Sequence, residues 1–186
     1  MNSSAARYTG VAITLHWLIA TVILCTFLLG QYMTGLEVSP AKLKLYSYHK
    51  WIGVTIFLLV LIRLGWRLLH RPPPPPAAMP AWQHSAANIV HFLLYALTLT
   101  IPVSGWLMSS ASGFQVVYLG QFPIPDLLPK DKNMAEQLKH LHEALNWLML
   151  ALVALHAAAA LKHHMLDRDD VLRRMLPFLK QRSAIK

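Results

Sequence analysis

Two histidines stand in an apolar stretch of the chain, where titratable side chains are uncommon. His142 and His156 lie fourteen residues apart within LHEALNWLMLALVALHA. At about 100° per residue, fourteen helical steps fall about 40° short of four turns, so both rings leave one face, about 21 Å apart along the axis. Ionisable groups inside a bilayer are costly and are therefore candidates for function. A histidine at a helix end can also simply meet water or a lipid headgroup, so the rest of the chain has to decide.

The composition is that of a membrane protein. Of the 186 residues, 55% are hydrophobic and 13% charged, and the length suits a single domain over 1–186. About 20 helical residues cross the roughly 30 Å of bilayer hydrocarbon, and four apolar runs are long enough to do so. We therefore predict an all-α integral membrane four-helix bundle, with helices at about 11–33, 47–69, 88–110 and 142–163.

The segments between these runs have their own signals. The five prolines at 72–76 predict a short, stiff polyproline loop. Residues 109–130, rich in Gly, Pro and aromatic residues, predict an apolar lid at the outer surface. Asp131 is a candidate N-cap, so helix 4 should begin before it enters lipid. Residues 165–180 predict an amphipathic interfacial helix at the C-terminus.

The distribution of Lys and Arg predicts the orientation. Eleven lie on the side of the termini and the 2–3 loop, and six on the other side. The positive-inside rule then puts both termini of this multi-pass membrane protein in the cytoplasm. The net charge of +9 is explained by topology and anionic membrane lipid, so we expect no nucleic acid partner.

Four histidines are expected to form two layers. His49 and His142 lie near the outer ends of helices 2 and 4, whereas His16 and His156 lie near the inner ends of helices 1 and 4. Two cross-helix pairs of neutral imidazoles are what two six-coordinate b-type haems require. The lone Cys25 gives no thiolate site and no motif for covalent haem attachment.

His91 competes with His16 as the partner of His156, because it enters helix 3 at the inner depth. We prefer His16, since it completes the pairing and helix 3 has no other histidine. His91 is then a candidate for contacting a quinone beside the inner haem.

Three further histidines flank these layers. His163 and His164 lie too close to the inner surface to be embedded ligands. They are headgroup contacts or polar groups for a quinone headgroup. His140 is two residues from His142, about 200° around the helix, so both cannot bind one haem.

Arg63 and Gly53 are candidates for contacting a haem directly. Arg63 follows His49 by fourteen residues, so it projects from the same face at the inner depth. A buried cation needs an anion, which a haem propionate would supply, unless the side chain snorkels to the cytoplasm. Gly53, one turn from His49, leaves room for a macrocycle, although small residues also serve helix packing.

Other classes of protein fit less well. Zinc ligands must converge within about 2 Å of one ion, whereas these histidines divide between two depths. Ion transporters usually have acidic residues in their spans, but all eight acidic residues lie in loops or at helix ends. A haem carrier is disfavoured because two bis-histidine irons leave no open coordination position.

The motifs around these histidines resemble those of the bacterial cytochrome b561 family, four-helix di-haem proteins that include superoxide oxidase. They are ITLHW in helix 1, YHKWIG and LIRLGWR in helix 2, NIVHFLLYAL and IPVSG in helix 3, and LHEAL and LHAAAALKHH in helix 4. The resemblance covers nearly the whole chain and implies ligand roles for His16, His49, His142 and His156. Cytochrome b subunits of membrane hydrogenases and formate dehydrogenases share four helices and similar ligand spacing, so the fold alone does not choose between them.

The resemblance implies two haems b, ubiquinone as a substrate and a location in the bacterial inner membrane. The leading hypothesis is that superoxide is oxidised to oxygen at the outer face and quinone is reduced near the inner face. Outer-sphere electron transfer needs no acid or base, so we predict no catalytic side chain. The alternative is a non-catalytic electron-transfer subunit linking quinone to a partner dehydrogenase or reductase.

Basic groups at the outer ends of helices 2 and 4 either steer a small anion or are ordinary solvated side chains: Lys42, Lys44, Lys50, Lys130, Lys132, Lys139 and His140.

Overall fold

Four long helices make up most of the chain. The computed structural model describes residues 7–76, 79–176 and 178. All four helices are long and apolar enough to cross a membrane, with mean hydropathies of 2.2, 2.0, 1.7 and 1.9 in chain order. The protein is therefore an integral membrane protein. In chain order the elements are α1 (Gly10–Thr34), α2 (Pro40–Leu69), α3 (Ala81–Ala111), β1 (Val117–Tyr118), β2 (Phe122–Pro123) and α4 (Lys132–Met165).

The predicted all-α four-helix architecture is confirmed, and the helices extend beyond the predicted apolar runs. The long extensions, at the starts of α2, α3 and α4, are more polar than the apolar runs, so hydropathy alone does not detect them. Side-chain caps mark the starts of α1, α2 and α4. The hydroxyls of Thr9 and Ser39 and the carboxylate of Asp131 accept hydrogen bonds from the first turns of α1, α2 and α4. The N-cap role of Asp131 agrees with the sequence prediction.

The helices pack in chain order, α1 with α2, α2 with α3 and α3 with α4. Ile19, Ile56 and Val60 form a buried cluster between α1 and α2, and Tyr95 and Leu99 of α3 pack against it. Large apolar side chains such as Leu28 and Phe92 are exposed on the outside of the bundle. A bilayer would cover these side chains, because lipid is their natural solvent.

The outer end of the bundle, where α1 is followed by α2 and α3 by α4, is covered by a segment that we call the outer cap, residues 112–131. Its strands pair as an antiparallel hairpin, and the turn uses left-handed backbone at Leu119 and Gly120. The Trp51 indole donates to the Val117 carbonyl at 2.6 Å. The Trp106 indole donates to the Pro125 carbonyl at 3.1 Å. The predicted lid is therefore an ordered element pinned to α2 and α3.

The inner end carries the start of α1 and the end of α4. The prediction of a helix over 165–180 is wrong for the part of it that the structure describes: α4 ends at Met165 and residues 171–175 form turns. Arg168 adopts a left-handed backbone, and Asp169 accepts from the backbone N–H of Val171, which turns the chain back. The indole of Trp17 donates to the Met175 carbonyl at 2.8 Å, so this tail is attached to α1. Residues 177, 179 and 180 lie outside the described residues.

Candidate functional site

The outer histidines His49 and His142 face each other across the bundle. Their rings have centroids 6.4 Å apart and are inclined by 78°. His49 comes from α2 and His142 from α4, two helices that do not follow one another in the chain. The tertiary structure thus brings together two rings that lie 93 residues apart in the sequence.

Ser104 of α3 fixes the orientation of the His142 ring. Its hydroxyl donates to the Ile101 carbonyl at 2.8 Å and lies 2.9 Å from Nδ1 of His142. Because the hydroxyl hydrogen is already used, the serine oxygen accepts the Nδ1–H of the ring. This tautomer leaves the Nε2 lone pair for a metal, as outer-shell hydrogen bonds do for metal-binding histidines.

His49 has a buried Nδ1 atom that forms no hydrogen bond of acceptable geometry with the described residues. The backbone of Thr26 lies close enough to interact with the ring. Buried polar atoms are nearly always hydrogen-bonded, so each exception calls for an explanation. The nearby Thr26 backbone is the group that can take the Nδ1–H, which leaves Nε2 for a metal.

Two glycines give the outer rings their space. A Cβ on Gly105 of α3 would lie 3.1 Å from Cε1 of His142, and one on Gly30 of α1 would lie 3.3 Å from Cε1 of His49. Both distances are shorter than ordinary carbon contacts. Sequence reasoning missed both residues and Ser104, although Ser104 and Gly105 stand together in the IPVSG motif. At Gly53, which it selected, an added Cβ meets nothing within 4 Å.

Three histidines meet at the inner end. The ring centroids of His16 and His156 are 6.2 Å apart, with the planes inclined by 70°. His91 is closer to His156, with centroids 5.2 Å apart and planes inclined by 66°. All three predicted inner histidines are therefore brought together, and His156 has two neighbours.

The centroid separations distinguish these pairs. A metal–imidazole bond is about 2.0 Å long and the nitrogen lies about 1.1 Å from its ring centroid, so two axial imidazoles on one iron have centroids about 6.2 Å apart. The outer pair at 6.4 Å and the His16–His156 pair at 6.2 Å match this value. The His91–His156 separation of 5.2 Å is too short. The residues at both depths fit a bis-histidine haem.

Arg63 points toward the inner histidines. Its Nε donates to the Tyr95 hydroxyl at 2.9 Å and its Nη1 to the Ala12 carbonyl at 3.0 Å. Its charge acts electrostatically on His16 and on His156. The side chain is therefore turned into the bundle and held by neutral acceptors.

His163 and His164 are held in the tail region. Nδ1 of His163 lies 2.7 Å from Oδ2 of Asp169 and 3.1 Å from Oδ2 of Asp167. Nδ1 of His164 is buried and has no hydrogen-bond partner among the described residues. His163 thus connects the end of α4 to the tail and is not free to face the bilayer.

The predicted outer cations do not all face the outer pair. Lys42 donates to the carbonyls of Thr34 and Leu36 in the α1–α2 connection. Lys139 and His140 pair with the exposed Glu136 at 3.3 and 3.4 Å.

The remaining outer lysines lie on or beside the cap. Lys50 donates to the Phe114 carbonyl of the outer cap at 3.2 Å, which places a cation one residue from His49. The stem of Lys130 packs beside Gly113, and Lys44 lies over the Tyr48 ring at 5.9 Å. Lys132 begins α4.

A compact zinc site is not formed by the inner or outer histidines. Within the part of the chain that the structure describes, the group of three ligands whose atoms lie within 4.8 Å of one another is His163, Asp167 and Asp169. The five half-buried histidines of the two layers do not belong to it. They divide between two depths of the bundle.

Comparison with known proteins agrees with this geometry. The chain matches the family profile described as prokaryotic cytochrome b561 over residues 7–178. It is 34% identical to cytochrome b561 homolog 2 of Escherichia coli over 94% of both chains. It is 30% identical to cytochrome b561 homolog 1 of the same organism, over 92% of this chain and 97% of that one. A probable superoxide oxidase of Yersinia pestis is 24% identical, over 92% of this chain and 96% of its own. The chain is an integral membrane cytochrome b of the prokaryotic cytochrome b561 family.

Proposed function

We propose that the chain binds two haems b, an outer one between His49 and His142 and an inner one between His16 and His156. The observation that carries this proposal is the separation of the ring centroids, 6.4 and 6.2 Å, at two depths of one bundle. α1 and α4 are not among the helix pairs that pack closely in the described residues, which supports a macrocycle between the two inner rings. His91 is then a neighbour of the inner centre.

The surrounding residues have distinct roles in holding these groups. Ser104 fixes the tautomer of its histidine, and Gly30 and Gly105 let the outer rings approach the neighbouring helices. Arg63 is placed to bind a propionate of the inner haem, because it is a cation turned into the bundle beside both inner ligands. The open space beside Gly53 is compatible with a macrocycle edge there.

The proposed reaction is the oxidation of superoxide by ubiquinone. Two superoxide anions each give up one electron and leave as oxygen, and one quinone takes two electrons and two protons to become quinol. Bound haem b supplies one-electron carriers at two depths of the membrane. The chain itself contributes position and exclusion of water, and no side chain has to act as an acid or base on superoxide.

Charge at the outer end supports an anionic donor. Lys50 lies beside His49 and reaches into the outer cap, and Lys130 lies at the edge of the same cap. Cations around a recessed centre raise the capture rate of a small anion, an effect that salt weakens. The resemblance to a protein named as a probable superoxide oxidase points to the same donor.

A cavity beside His91 supports a quinone position near the inner centre. It has a volume of about 380 Å³, lies between α2 and α3, and is lined by His91, Asn88, Tyr95 and Arg67 together with apolar side chains. Such a lining suits an aromatic headgroup with polar oxygens and an apolar tail. Among the three quinone candidates, His91 therefore has the best support, because His163 is engaged by two aspartates.

We place the outer end on the periplasmic side of the bacterial inner membrane and both termini in the cytoplasm. The excess of Lys and Arg at the inner end, eleven against six, supports this orientation. Quinone protons then come from the cytoplasm.

A second candidate is a non-catalytic electron-transfer subunit that passes electrons between quinone and a docked redox protein. The two Escherichia coli relatives, which are more similar to this chain than the probable superoxide oxidase is, are named as cytochromes. Copurification of a dehydrogenase or reductase at a fixed ratio would favour this candidate.

The test is to mix the purified haem-loaded protein with superoxide and a soluble ubiquinone and to follow quinol formation. We expect one quinol for every two superoxide anions consumed, with a rate that falls as salt increases. His49→Ala should abolish quinol formation, whereas Lys139→Gln, which removes an exposed cation, should retain most of it. Superoxide loss no faster than spontaneous dismutation would exclude the enzyme.

A further inference from the structure

An imidazole and two carboxylates converge at the end of α4, on the inner surface of the bundle. Nδ1 of His163 lies 2.7 Å from Oδ2 of Asp169 and 3.1 Å from Oδ2 of Asp167. One ligand atom from each of the three residues lies within 4.8 Å of the other two. We call these three residues the tail cluster. It is separate from the inner histidine layer, because His163 follows His156 by about two helical turns, about 10 Å along the axis.

The local fold brings the three groups of the tail cluster together. His163 stands in the last turn of α4, and both aspartates follow in the segment after the helix. The backbone N–H of Asp167 donates to the Lys162 carbonyl at 3.2 Å, and that of Asp169 donates to the His163 carbonyl at 3.1 Å. The backbone therefore sets the positions of both aspartates, in addition to their side-chain contacts.

The ring nitrogen of His163 faces more acceptors than it can satisfy with one hydrogen. A ring nitrogen carries at most one hydrogen, whereas two carboxylate oxygens lie within hydrogen-bond distance of Nδ1. Oδ1 of Asp169 accepts the backbone N–H of Val171 at 2.9 Å, which keeps Oδ2 directed at the ring. A cation between the nitrogen and the two oxygens would bond all three atoms at once.

The spacing of the tail cluster suits a metal ion. Bonds of about 2.0–2.2 Å from a tetrahedral ion place its ligand atoms about 3.3 Å apart. The nitrogen–oxygen distances of 2.7 and 3.1 Å are shorter by about 0.2–0.6 Å, which small side-chain rotations would correct. The side chain of His163 is 13% exposed and that of Asp167 is 31% exposed. An ion could therefore enter past Asp167 and reach a sheltered ring.

Lys162 would compete with a metal ion for the tail cluster. Its Nζ lies 2.6 Å from Oδ2 of Asp167, the same oxygen that faces His163. The lysine side chain is 40% exposed, and ion pairs of exposed side chains are weak. It can therefore turn into water when a divalent cation arrives, and its removal should favour the metal.

We propose that His163, Asp167 and Asp169 bind a divalent transition-metal ion such as zinc, with water completing the coordination. One imidazole with two carboxylates suits Zn²⁺ or Mn²⁺, whereas Mg²⁺ and Ca²⁺ prefer oxygen ligands alone. The ion would join the end of α4 to the tail, which is attached to α1 by the bond from Trp17 to the Met175 carbonyl. Metal binding should therefore brace the inner end of the bundle, independently of the electron donor and acceptor.

The experiment measures zinc bound by the haem-loaded protein, prepared without a polyhistidine tag, using equilibrium dialysis and elemental mass spectrometry. Wild type should bind one zinc ion per chain tightly, Mn²⁺ more weakly and Mg²⁺ much more weakly. H163Q and D169N should each weaken zinc binding at least about 10-fold, since even outer-shell partners of metal ligands contribute about 10–100-fold. K162Q, which removes the competing cation, should bind zinc as tightly as wild type or up to about 5-fold more tightly. Binding by K162Q as weak as that by D169N would contradict the proposal.

The matched control is H140Q at the outer end. His140 lies 3.4 Å from Glu136, which also pairs with Lys139 at 3.3 Å. That group reproduces the histidine, the lysine and one of the two carboxylates of the inner end, and H140Q should keep the zinc affinity of wild type. Equal losses in H140Q and H163Q, or equal affinities of wild type for Mg²⁺ and Zn²⁺, would indicate nonspecific attraction and overturn the site.

Amide exchange over residues 166–171 provides a second measurement. Zinc should slow this exchange in wild type and in H140Q but not in H163Q, because the ion joins the tail to α4. Should H163Q lose a haem component, D167N takes its place, since Asp167 is exposed and its replacement should also weaken zinc binding at least about 10-fold. Unchanged affinity in D167N, or exchange in wild type that zinc does not slow, would refute the proposal.

Discussion

The substitution Gly105→Ala tests whether the space beside His142 is needed by the outer centre. The added Cβ lies 3.1 Å from Cε1 of the ring, whereas ordinary carbon contacts are about 3.5–4.0 Å. The ring or α3 must therefore move by at least about 0.4 Å. Because Ser104 holds Nδ1 of the ring at 2.9 Å, the ring cannot turn aside without lengthening that hydrogen bond.

The expected free-energy change has two opposing parts. Overpacking a tight site costs about 1–3 kcal/mol, and the higher helix propensity of alanine returns about 1 kcal/mol. The net penalty is about 0–2 kcal/mol and falls on ligation of the outer haem, which corresponds to at most about 30-fold weaker haem retention. The inner centre lies about 21 Å away along α4 and should be unaffected.

The assay is the haem-to-protein ratio together with a redox titration of the absorption bands, resolved into two components. We expect Gly105→Ala to shift or weaken one component only, and Gly30→Ala, with its longer contact of 3.3 Å, to do so less. Gly65→Ala is the matched control, because its Cβ meets nothing within 4 Å, and it should retain both haems with equal or higher thermal stability. Identical behaviour of Gly105→Ala and Gly65→Ala would refute the reasoning.

Three further substitutions separate the roles of single contacts. His16→Ala should remove one haem component, whereas His91→Ala should keep both. The reason is that the His16–His156 pair has the ring separation that one iron needs and the His91–His156 pair does not. The opposite result in haem spectra would reverse the inner pairing. Ser104→Ala should lower stability by about 1 kcal/mol and shift the potential of the outer component alone, and an unchanged redox titration would count against its orienting role. Trp51→Phe, which removes the 2.6 Å bond to Val117, should speed amide exchange across the outer cap, with equal exchange in both proteins contradicting the pinned cap.

Hydropathy and periodicity were sufficient for the architecture. A lipid bilayer forces backbone groups to pair within each span, so four apolar runs imply four helices without reference to their packing. The caps at Thr9, Ser39 and Asp131 lengthen the helices beyond the apolar runs, and of these only Asp131 was predicted. In the tail of residues 166–176 the amphipathic pattern predicted a helix that does not form. The hydrogen bond that Asp169 accepts from Val171 and the left-handed backbone at Arg168 outweigh helix propensity there.

The sequence by itself also determined that the histidines predicted as ligands lie at two depths. Fourteen residues separate His142 from His156 on one helix face, and that relation holds for any packing of the helix. Only the tertiary structure decided that His156 faces His16 at 6.2 Å and His91 at 5.2 Å, and that Gly30 and Gly105 border the outer rings. Such contacts depend on the rotation and spacing of neighbouring helices, which arise from packing across the bundle and leave no period in one helix.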